Sequence, residues 1–330
     1  MRILLGILST ALVVGNLLVN AVPLFLMGLV RVTVRLLGLK AAESRMARAM
    51  DIVIDSWVVI NRFVYSSLGL VRPEVRWLDA DDLSKDRWYM VISNHQSWTD
   101  ILVLQSVLFE RLPPLKFFTT RQLLFIPVFG QAMWLLDFPY VRRMSRAQIE
   151  ANPALLEVDR QATREACEKF KNHPTSALNF LEGTRFTAEK FTAQAQPRFR
   201  RLLNPKTGGL TQVLSALDDR LHKVVDVTID YPEGVPTFWE FMQGKCGRVT
   251  MTIASHDVPA RVRTAADDEA RRSAVNDWVE ALWQAKDDAL TGIPSGKEST
   301  SGNESTSGNE NNAETSIDRS LESAAKHPAR

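Results

Sequence analysis

The sequence predicts an α/β domain, a mixed sheet flanked by helices, preceded by an N-terminal helical segment embedded in a membrane. Two observations carry this prediction. Between residues 88 and 290, short apolar runs that suit buried strands alternate with longer stretches of helical periodicity. Residues 3–30 contain no charged side chain, and about 20 apolar residues suffice to cross a bilayer.

The charge-free segment is followed by Arg31, Arg35 and Lys40. The positive-inside rule therefore predicts that this end and the body of the chain face the cytoplasm. Pro23 divides the apolar run, which predicts either a single span before it or a bent pair of helices. A cleaved signal peptide, with Arg2 as its positive end and Val19-Asn-Ala21 as its cleavage pattern, is the alternative, but the run exceeds the usual signal core of about 7 to 15 residues.

Changes of composition predict the domain organisation: a membrane segment at 1–40, a helical connector at 41–70, a catalytic domain at 71–290 and a disordered tail at 291–330. The connector has apolar residues at helical spacing, among them Met50, Ile54, Trp57 and Ile60. The tail is rich in Ser, Thr, Gly, Asn and Glu and repeats a short motif, so it cannot bury enough apolar surface to fold.

Periodicity also predicts the elements of the central domain. The expected strands are 89–92, 115–119, 177–180, 224–229 and 248–253, and the expected helices are 98–111, 150–172 and 266–290. A second uncharged stretch, 122–136, is short and contains Pro127 and Gly130. It is predicted to pack in the core or at an interface in preference to spanning a membrane.

Composition narrows the class of function. The formal charge of +2 provides no global field for a nucleic acid, so no nucleic-acid partner is predicted. Two cysteines, Cys167 and Cys246, form no disulfide framework and no metal-ligand spacing, which favours a reducing compartment. No metal site is predicted. Three further histidines have no partner at motif spacing and are interpreted as surface or structural residues: His173, His222 and His256.

The segment 94–100, Asn-His-Gln-Ser-Trp-Thr-Asp, predicts a catalytic pair. A strand that ends at Ser93 delivers His95 to a sheet edge, and Asp100 falls in the first turn of the next helix. The carboxylate can then accept a hydrogen bond from one imidazole nitrogen and leave the other free to take a proton. Asn94 either fixes the turn or joins the catalysis, and Trp98 is interpreted as a packing residue.

Two segments downstream carry cations beside apolar runs. Asp-Phe-Pro-Tyr-Val-Arg-Arg occupies 137–143, and Phe-Leu-Glu-Gly-Thr-Arg occupies 180–185. Arginine is a forked donor that suits phosphate oxygens, so Arg142, Arg143 and Arg185 form a candidate phosphate clamp. Gly183 permits close approach of the backbone to a ligand. The alternative is an ordinary ion-pair network in which Glu182 binds an arginine.

The order of these motifs resembles the glycerolipid acyltransferase family, which includes 1-acylglycerol-3-phosphate O-acyltransferase. The matching segments are 94–100, 140–143, 182–185 and 227–232, within a similarity that covers 91–232. Leu181 stands where many members have proline. Of the two arginines, Arg143 fits the family motif better, because Tyr140 and Val141 then fill its apolar pair. The phrase Phe-Leu-Glu-Gly-Thr-Arg-Phe-Thr resembles a subgroup with lysophospholipid and lysocardiolipin acyltransferases.

The resemblance implies a membrane-bound acyltransferase that makes phosphatidic acid for phospholipid synthesis. His95 would act as general base on the sn-2 hydroxyl of lysophosphatidic acid, Asp100 would orient it, and the alkoxide would attack the thioester of acyl-CoA or acyl carrier protein directly. These thioesters are co-substrates, and no cofactor is expected. The expected substrate-binding residues are Arg143, Glu182, Gly183, Thr184 and Arg185, with Asn94, Arg142 and Pro232 in support.

The expected location is a bacterial inner membrane, with the catalytic domain on the cytoplasmic face, and an endoplasmic reticulum membrane is the alternative. Two other functions remain open at this level. The acceptor could be another lysophospholipid, as in lipid remodelling, or the chain could be a non-catalytic membrane scaffold. The intact pair of His95 and Asp100 argues against the scaffold.

Overall fold

The computed structural model describes residues 1–141, 161, 164–165 and 167–292. The helices in these ranges are α1 (Arg2–Leu36), α2 (Lys40–Ser67), α3 (Asp100–Leu108), α4 (Phe129–Leu135), α5 (Ala188–Thr192), α6 (Gly208–Leu217), α7 (Phe238–Met242), α8 (Ala260–Arg263) and α9 (Asp268–Thr291). The strands are β1 (Arg72–Leu78), β2 (Trp88–Ser93), β3 (Leu115–Phe117), β4 (Thr119–Thr120), β5 (Tyr140–Val141), β6 (Ser176–Phe180), β7 (Leu221–Asp230) and β8 (Arg248–His256).

Six strands form a mixed sheet in the order β1-β8-β7-β2-β6-β3, so the predicted fold class is confirmed. Within the described ranges, β7 and β8 are the one antiparallel pair of neighbouring strands in this sheet, and the other pairs are parallel. The strands β7, β2, β6 and β3 therefore run in one direction, and their carboxyl ends lie at the same edge. In open α/β sheets this edge is the usual place for a ligand site.

Helices cover both faces of the sheet, and β2 lies between them. Tyr89 and Val91 contribute to a core with α1, α2, α3 and α4. Met90 and Ile92 contribute to a second core with α6, α8 and α9. Successive side chains of a strand point to opposite faces, which explains why an apolar run without alternation forms a strand buried on both sides.

Some element boundaries differ from the predictions. The third helix begins at Asp100 and ends at Leu108, which is shorter than the expected 98–111. The expected strand at 115–119 is two short strands interrupted at Phe118. Strand β1 was not predicted, because this edge strand carries charged residues that mask its apolar pattern. The expected helix at 150–172 lies largely outside the described residues.

Helix α1 continues through Pro23, so the apolar run is not divided into two helices. Its exposure pattern is the reverse of that of a water-soluble helix. The buried side consists mostly of small and amide residues such as Gly6, Ser9 and Asn16, with Val13 and Leu24 among them, whereas Val19 and Leu29 are each 68% exposed. A helix of this kind packs its small and polar side chains against the protein and presents apolar side chains outward, as helices in contact with lipid do.

Contacts near both ends attach α1 to the rest of the fold. Ser9 Oγ donates a hydrogen bond of 2.7 Å to Met242 O in α7. Arg31 donates to Leu135 O at 2.8 Å and pairs with Asp137 Oδ2 at 2.6 Å, beside α4. Between these points, Asn16 Nδ2 donates to Asn61 Oδ1 of α2 at 2.9 Å. The helix therefore packs on the domain along most of its length.

The stretch 122–136 is partly core and partly surface. It forms a 3₁₀ helix at Arg121–Phe125 followed by α4. Ala132, Met133 and Leu136 are buried, as expected. Phe125 is 84% exposed and Trp134 is also exposed, so these two side chains fit the interfacial part of the predicted core or interfacial packing.

Candidate active site

His95 and Asp100 meet at the carboxyl edge of the sheet. His95 lies just after β2, and its Nδ1 is 2.9 Å from Asp100 Oδ2, which is the hydrogen bond that the spacing predicts. A carboxylate only accepts, so Nδ1 is the donor, and in the neutral imidazole the lone pair is then on Nε2. The imidazole stacks on Phe180 with 3.9 Å between ring centroids, and its side chain is 14% exposed. The histidine is thus held in one tautomer with access to a substrate.

Both oxygens of Asp100 are held by donors. Oδ2 also accepts from the backbone amides of Gln96 at 2.7 Å and Ser97 at 3.0 Å. Oδ1 accepts from Tyr231 Oη at 2.5 Å. The carboxylate is buried at the start of α3, where the helix dipole also favours its negative charge. These contacts fix the orientation of the group that orients His95.

Tyr231 is a site residue that the sequence analysis missed. It follows β7 directly, and its hydroxyl also lies 3.3 Å from Thr99 Oγ1. Burial and the charge of Asp100 raise the pKa of Tyr231, so the hydroxyl stays a donor. The sequence signal that could have identified Tyr231 is its position directly before Pro232, in the matching segment 227–232. Pro232 itself is exposed, and Tyr231 is the neighbour that contacts the pair.

Both polar atoms of the Asn94 side chain form hydrogen bonds with the backbone of β7. Its Nδ2 donates to Ile229 O at 2.8 Å and its Oδ1 accepts from Ile229 N at 2.8 Å. Asn94 has no exposed surface. Of the two roles expected from the sequence, these contacts favour the turn: Asn94 joins the end of β2 to β7 and thereby sets where His95 emerges.

Glu182 follows β6 and supports the histidine from the other side. Its side chain is 1% exposed, and Oε1 accepts the backbone N–H of His95 at 3.1 Å. No arginine pairs with it within the described parts of the chain, so the ion-pair alternative finds no support there. Burial raises the pKa of Glu182 to about 8, against the lowering effect of the His95 and Leu203 amides. Glu182 therefore holds a proton at neutral pH.

The turn after Glu182 presents the first cation. Gly183 has a φ of +68°, a left-handed conformation that favours glycine. The guanidinium of Arg185 lies 4.7 Å from the centroid of the Trp98 ring. Trp98 is 53% exposed, so it packs beneath Arg185 and not in the core. The stacking holds Arg185 beside the loop that carries His95.

Two lysines near this turn were not singled out in the sequence. Lys190 Nζ donates to Thr184 Oγ1 at 2.7 Å and to Arg185 O at 3.0 Å. Lys206 approaches Gly183, and its backbone N–H donates to Leu181 O at 2.6 Å. Both lysines lie outside the four motifs, so the motifs did not predict them as site residues. Arg142 and Arg143 lie outside the described residues.

His173 and His222 take part in contacts away from the pair. His173 is buried with Nε2 2.7 Å from Asp51 Oδ2, and Lys116 Nζ is 3.0 Å from the other oxygen of that carboxylate. His222 Nε2 is 2.8 Å from Asp82 Oδ2. These partners agree with a structural or surface role. Within the described residues, no group of three or more His, Cys, Asp or Glu side chains suits a metal ion.

The chain is similar to a known protein family and to several of its members. Residues 74–232 match the family model described as Acyltransferase. The chain is 24% identical over 263 residues to a probable 1-acyl-sn-glycerol-3-phosphate acyltransferase 5 of Arabidopsis thaliana, which covers 75% of this chain and 64% of that protein. It is 24% identical over 213 residues to the human 1-acyl-sn-glycerol-3-phosphate acyltransferase gamma, with coverages of 60% and 51%. The chain thus spans between half and two thirds of the length of these relatives.

A solved structure is also similar. The 1-acyl-sn-glycerophosphate acyltransferase PlsC of Thermotoga maritima aligns with a TM-score of 0.46 and 18% identity, over 84% of this chain and 100% of that chain. The family model and the relatives confirm the resemblance that the order of the motifs predicted. These comparisons support the glycerolipid acyltransferase family for residues 74–232, the region that matches the Acyltransferase model.

Proposed function

We propose that this chain transfers a fatty acyl group from acyl-CoA or acyl carrier protein to the sn-2 hydroxyl of lysophosphatidic acid and so produces phosphatidic acid. The observation that carries the proposal is the hydrogen bond between His95 Nδ1 and Asp100 Oδ2, which leaves Nε2 as a base at the ligand edge of the sheet. The names of the relatives contain the same acceptor, 1-acyl-sn-glycerol 3-phosphate.

The chemistry requires one base and no covalent enzyme intermediate. His95 Nε2 takes the proton of the acceptor hydroxyl while the oxygen attacks the thioester carbonyl, and Asp100 stabilises the imidazolium that forms. The carbon–sulfur bond then breaks, and the imidazolium returns the proton to the thiolate. Ser97 Oγ donates to Pro236 O at 2.8 Å and Thr99 Oγ1 donates to Ser97 Oγ at 3.0 Å. Both hydroxyls are buried, which favours direct transfer.

Recognition of the acceptor rests on cations at the same edge. Arg185 is partly exposed and held over Trp98, where its guanidinium can bind a phosphate. Arg143 is expected to contribute from its motif, and Arg142 to support it. Gly183 and Thr184 shape the turn between Glu182 and Arg185. Another lysophospholipid is the alternative acceptor, because a phosphate is common to that whole class of lipids.

We also propose that α1 associates with a bilayer through its exposed apolar side. About 38 Å separate Gly6 from Arg31 along the helix, which exceeds the roughly 30 Å of bilayer hydrocarbon. Both ends contact other parts of the fold, α7 at one end and the end of α4 at the other. These contacts favour a helix that lies along the membrane surface over one that crosses it. Arg31, Arg35 and Lys40 favour the cytoplasmic face, and a bacterial inner membrane remains the proposed location.

The test compares His95→Ala with His222→Ala, a matched histidine substitution at a surface ion pair away from the edge. With oleoyl-CoA and lysophosphatidic acid in mixed vesicles, the His95 variant should lose at least about a hundredfold in kcat, because general acid–base catalysis contributes about 10²–10⁴-fold. The His222 variant should retain its activity. Unchanged transfer by folded His95→Ala protein would overturn the catalytic assignment, and a wild type without activity on any lysophospholipid would favour the scaffold.

A further inference from the structure

A second cation lies over the turn formed by residues 182–185. The Lys206 side chain passes so close to Gly183 that a Cβ there would lie 3.1 Å from Lys206 Cδ and 3.3 Å from Nζ. Lys206 is exposed, and its ammonium makes no hydrogen bond or ion pair with any residue that the structure describes. Gly183 leaves open the space that this side chain crosses.

The backbone around Lys206 is held firmly. Its N–H donates to Leu181 O at 2.6 Å, directly before Glu182. Asp287 of α9 accepts the amides of Arg200 at 2.9 Å and Arg201 at 2.7 Å. Trp283 Nε1 in the same helix donates to Leu203 O at 3.1 Å. Helix α9 therefore fixes the segment that delivers Lys206 to the turn.

The turn itself is attached to the histidine at both ends. Glu182 Oε1 accepts the His95 N–H at 3.1 Å, and Phe186 N donates to His95 O at 2.7 Å. A cation over Gly183 consequently lies on a turn whose two ends are hydrogen-bonded to the backbone of His95. In a lysophosphatidic acid, the reacting hydroxyl and the phosphate are joined by a short glycerol linkage, so both must fit within this small region.

Lys190 offers a natural contrast at the same turn. Its ammonium donates to Thr184 Oγ1 and Arg185 O, so its hydrogen bonds serve the turn itself. Lys206 Nζ has no such partner in the described part of the chain. Lys190 therefore stabilises the turn, whereas the charge of Lys206 is available to a ligand.

We propose that Lys206 binds the phosphate of the acceptor together with Arg185 and so selects phosphate-bearing lysolipids. The inference rests on the proposed function and deepens it, since it assigns a specificity residue outside the four motifs. An ammonium acts as a compact point charge for phosphate, and the stacked guanidinium of Arg185 provides directed donors. The two cations would bind the phosphate from different sides.

Equilibrium binding in the His95→Ala background tests this without turnover. The probes are lysophosphatidic acid and monoacylglycerol of the same acyl chain in detergent micelles, measured by calorimetry. We expect Lys206→Ala to weaken the binding of lysophosphatidic acid by about tenfold and that of monoacylglycerol much less. Lys206→Arg should restore most of the affinity. Lys190→Ala should affect both lipids to a similar degree, because it loosens the turn.

Equal affinities of Lys206→Ala and its parent for lysophosphatidic acid would overturn the proposal, and so would an equal loss for both lipids. Thermal unfolding of each variant checks that the fold is intact, which the exposed position of Lys206 favours. A His95→Ala parent that shows no preference for lysophosphatidic acid over monoacylglycerol would instead contradict the proposed acceptor. The two failures are therefore distinguishable.

Discussion

At the scale of single residues, the orientation of His95 depends on how firmly Asp100 is held. Tyr231→Phe removes the hydroxyl that donates to Asp100 Oδ1 and leaves the ring in place. A hydrogen bond to a charged group contributes about 1.5–3 kcal/mol. We expect kcat to fall about tenfold while KM for the acceptor changes little, because the substitution disturbs the base and not the lipid site.

Steady-state kinetics with varied lysophosphatidic acid measures this split. Tyr89→Phe is a matched control, because the Tyr89 hydroxyl accepts a hydrogen bond of 2.8 Å from Ser84 N before the amino end of β2, away from the site. A rise in KM without a change in kcat would contradict the positioning role of Tyr231.

Glu182 predicts a dependence of stability on pH. Burial raises its pKa from 4.5 to about 8, so the folded state binds the proton more tightly than the unfolded state does. The stabilisation is complete below pH 4.5 and is lost as the pH rises through about 8. The free energy of unfolding should therefore decrease across this window, by an amount on the order of a few kcal/mol.

Thermal unfolding in detergent across the same window is the measurement. Glu182→Gln keeps an oxygen for the His95 N–H and carries no titratable group, so its unfolding midpoint should vary less with pH than that of the wild type. Identical pH profiles of the two proteins would show that Glu182 does not hold its proton in the fold.

At the scale of elements, Asn94 connects the ends of two neighbouring strands. Asn94→Ala leaves the buried Ile229 N–H without its acceptor, and an unsatisfied buried group costs about 1–3 kcal/mol. Ile229 O keeps a donor at 3.2 Å, Gln96 Nε2. We expect a loss of about 2 kcal/mol in the free energy of unfolding and a reduced kcat, since the loop that carries His95 loses its attachment to β7.

Gln96→Ala is the comparison, because it removes one of two donors to the same carbonyl. Its effect on chemical unfolding should be clearly smaller. If the two variants lose equal stability, the bridge between Asn94 and Ile229 is not what holds the ends of β2 and β7 together.

The elements themselves were largely predictable, since β2, β6, β7 and β8 are apolar runs and α9 shows helical periodicity. Strand β1 was missed because this short edge strand contains Pro73 and three charged residues, which leave little apolar pattern to mark it as a strand. The start of α3 was displaced by two residues, because Ser97 and Trp98 form the loop that wraps around the Asp100 carboxylate. Local patterns do not record such a tertiary constraint.

At the scale of the whole molecule, α1 presents an apolar surface and is connected through α7 to the active-site loop. Ser97 Oγ donates to Pro236 O, and Pro236 precedes α7, the helix that contacts Ser9. A bilayer bound at α1 would therefore lie near the loop that carries His95. This arrangement suits an acceptor that remains in the membrane while its head group reaches the base.

Glutamine at Leu4, Val19 and Leu29 tests this surface, because burial of a large apolar side chain contributes about 1.5–3 kcal/mol. We expect the triple variant to partition into lipid vesicles at least about tenfold less than the wild type. The control places glutamine at three exposed alanines of α9, Ala281, Ala285 and Ala289. Flotation of vesicles gives the measurement, and equal partitioning of both triple variants would contradict a lipid contact at α1.

The sequence by itself determined the fold class, the apolar N-terminal helix and the histidine–aspartate pair, because each follows from a short-range pattern of hydrophobicity or spacing. Only the tertiary structure decided that Tyr231 and Glu182 support this pair, that Asn94 bridges two strands and that Lys206 crosses Gly183. The reason is the order of the strands. Because β2 lies between β7 and β6, residues far apart in the chain meet at one sheet edge, and no local pattern records which of them make contact.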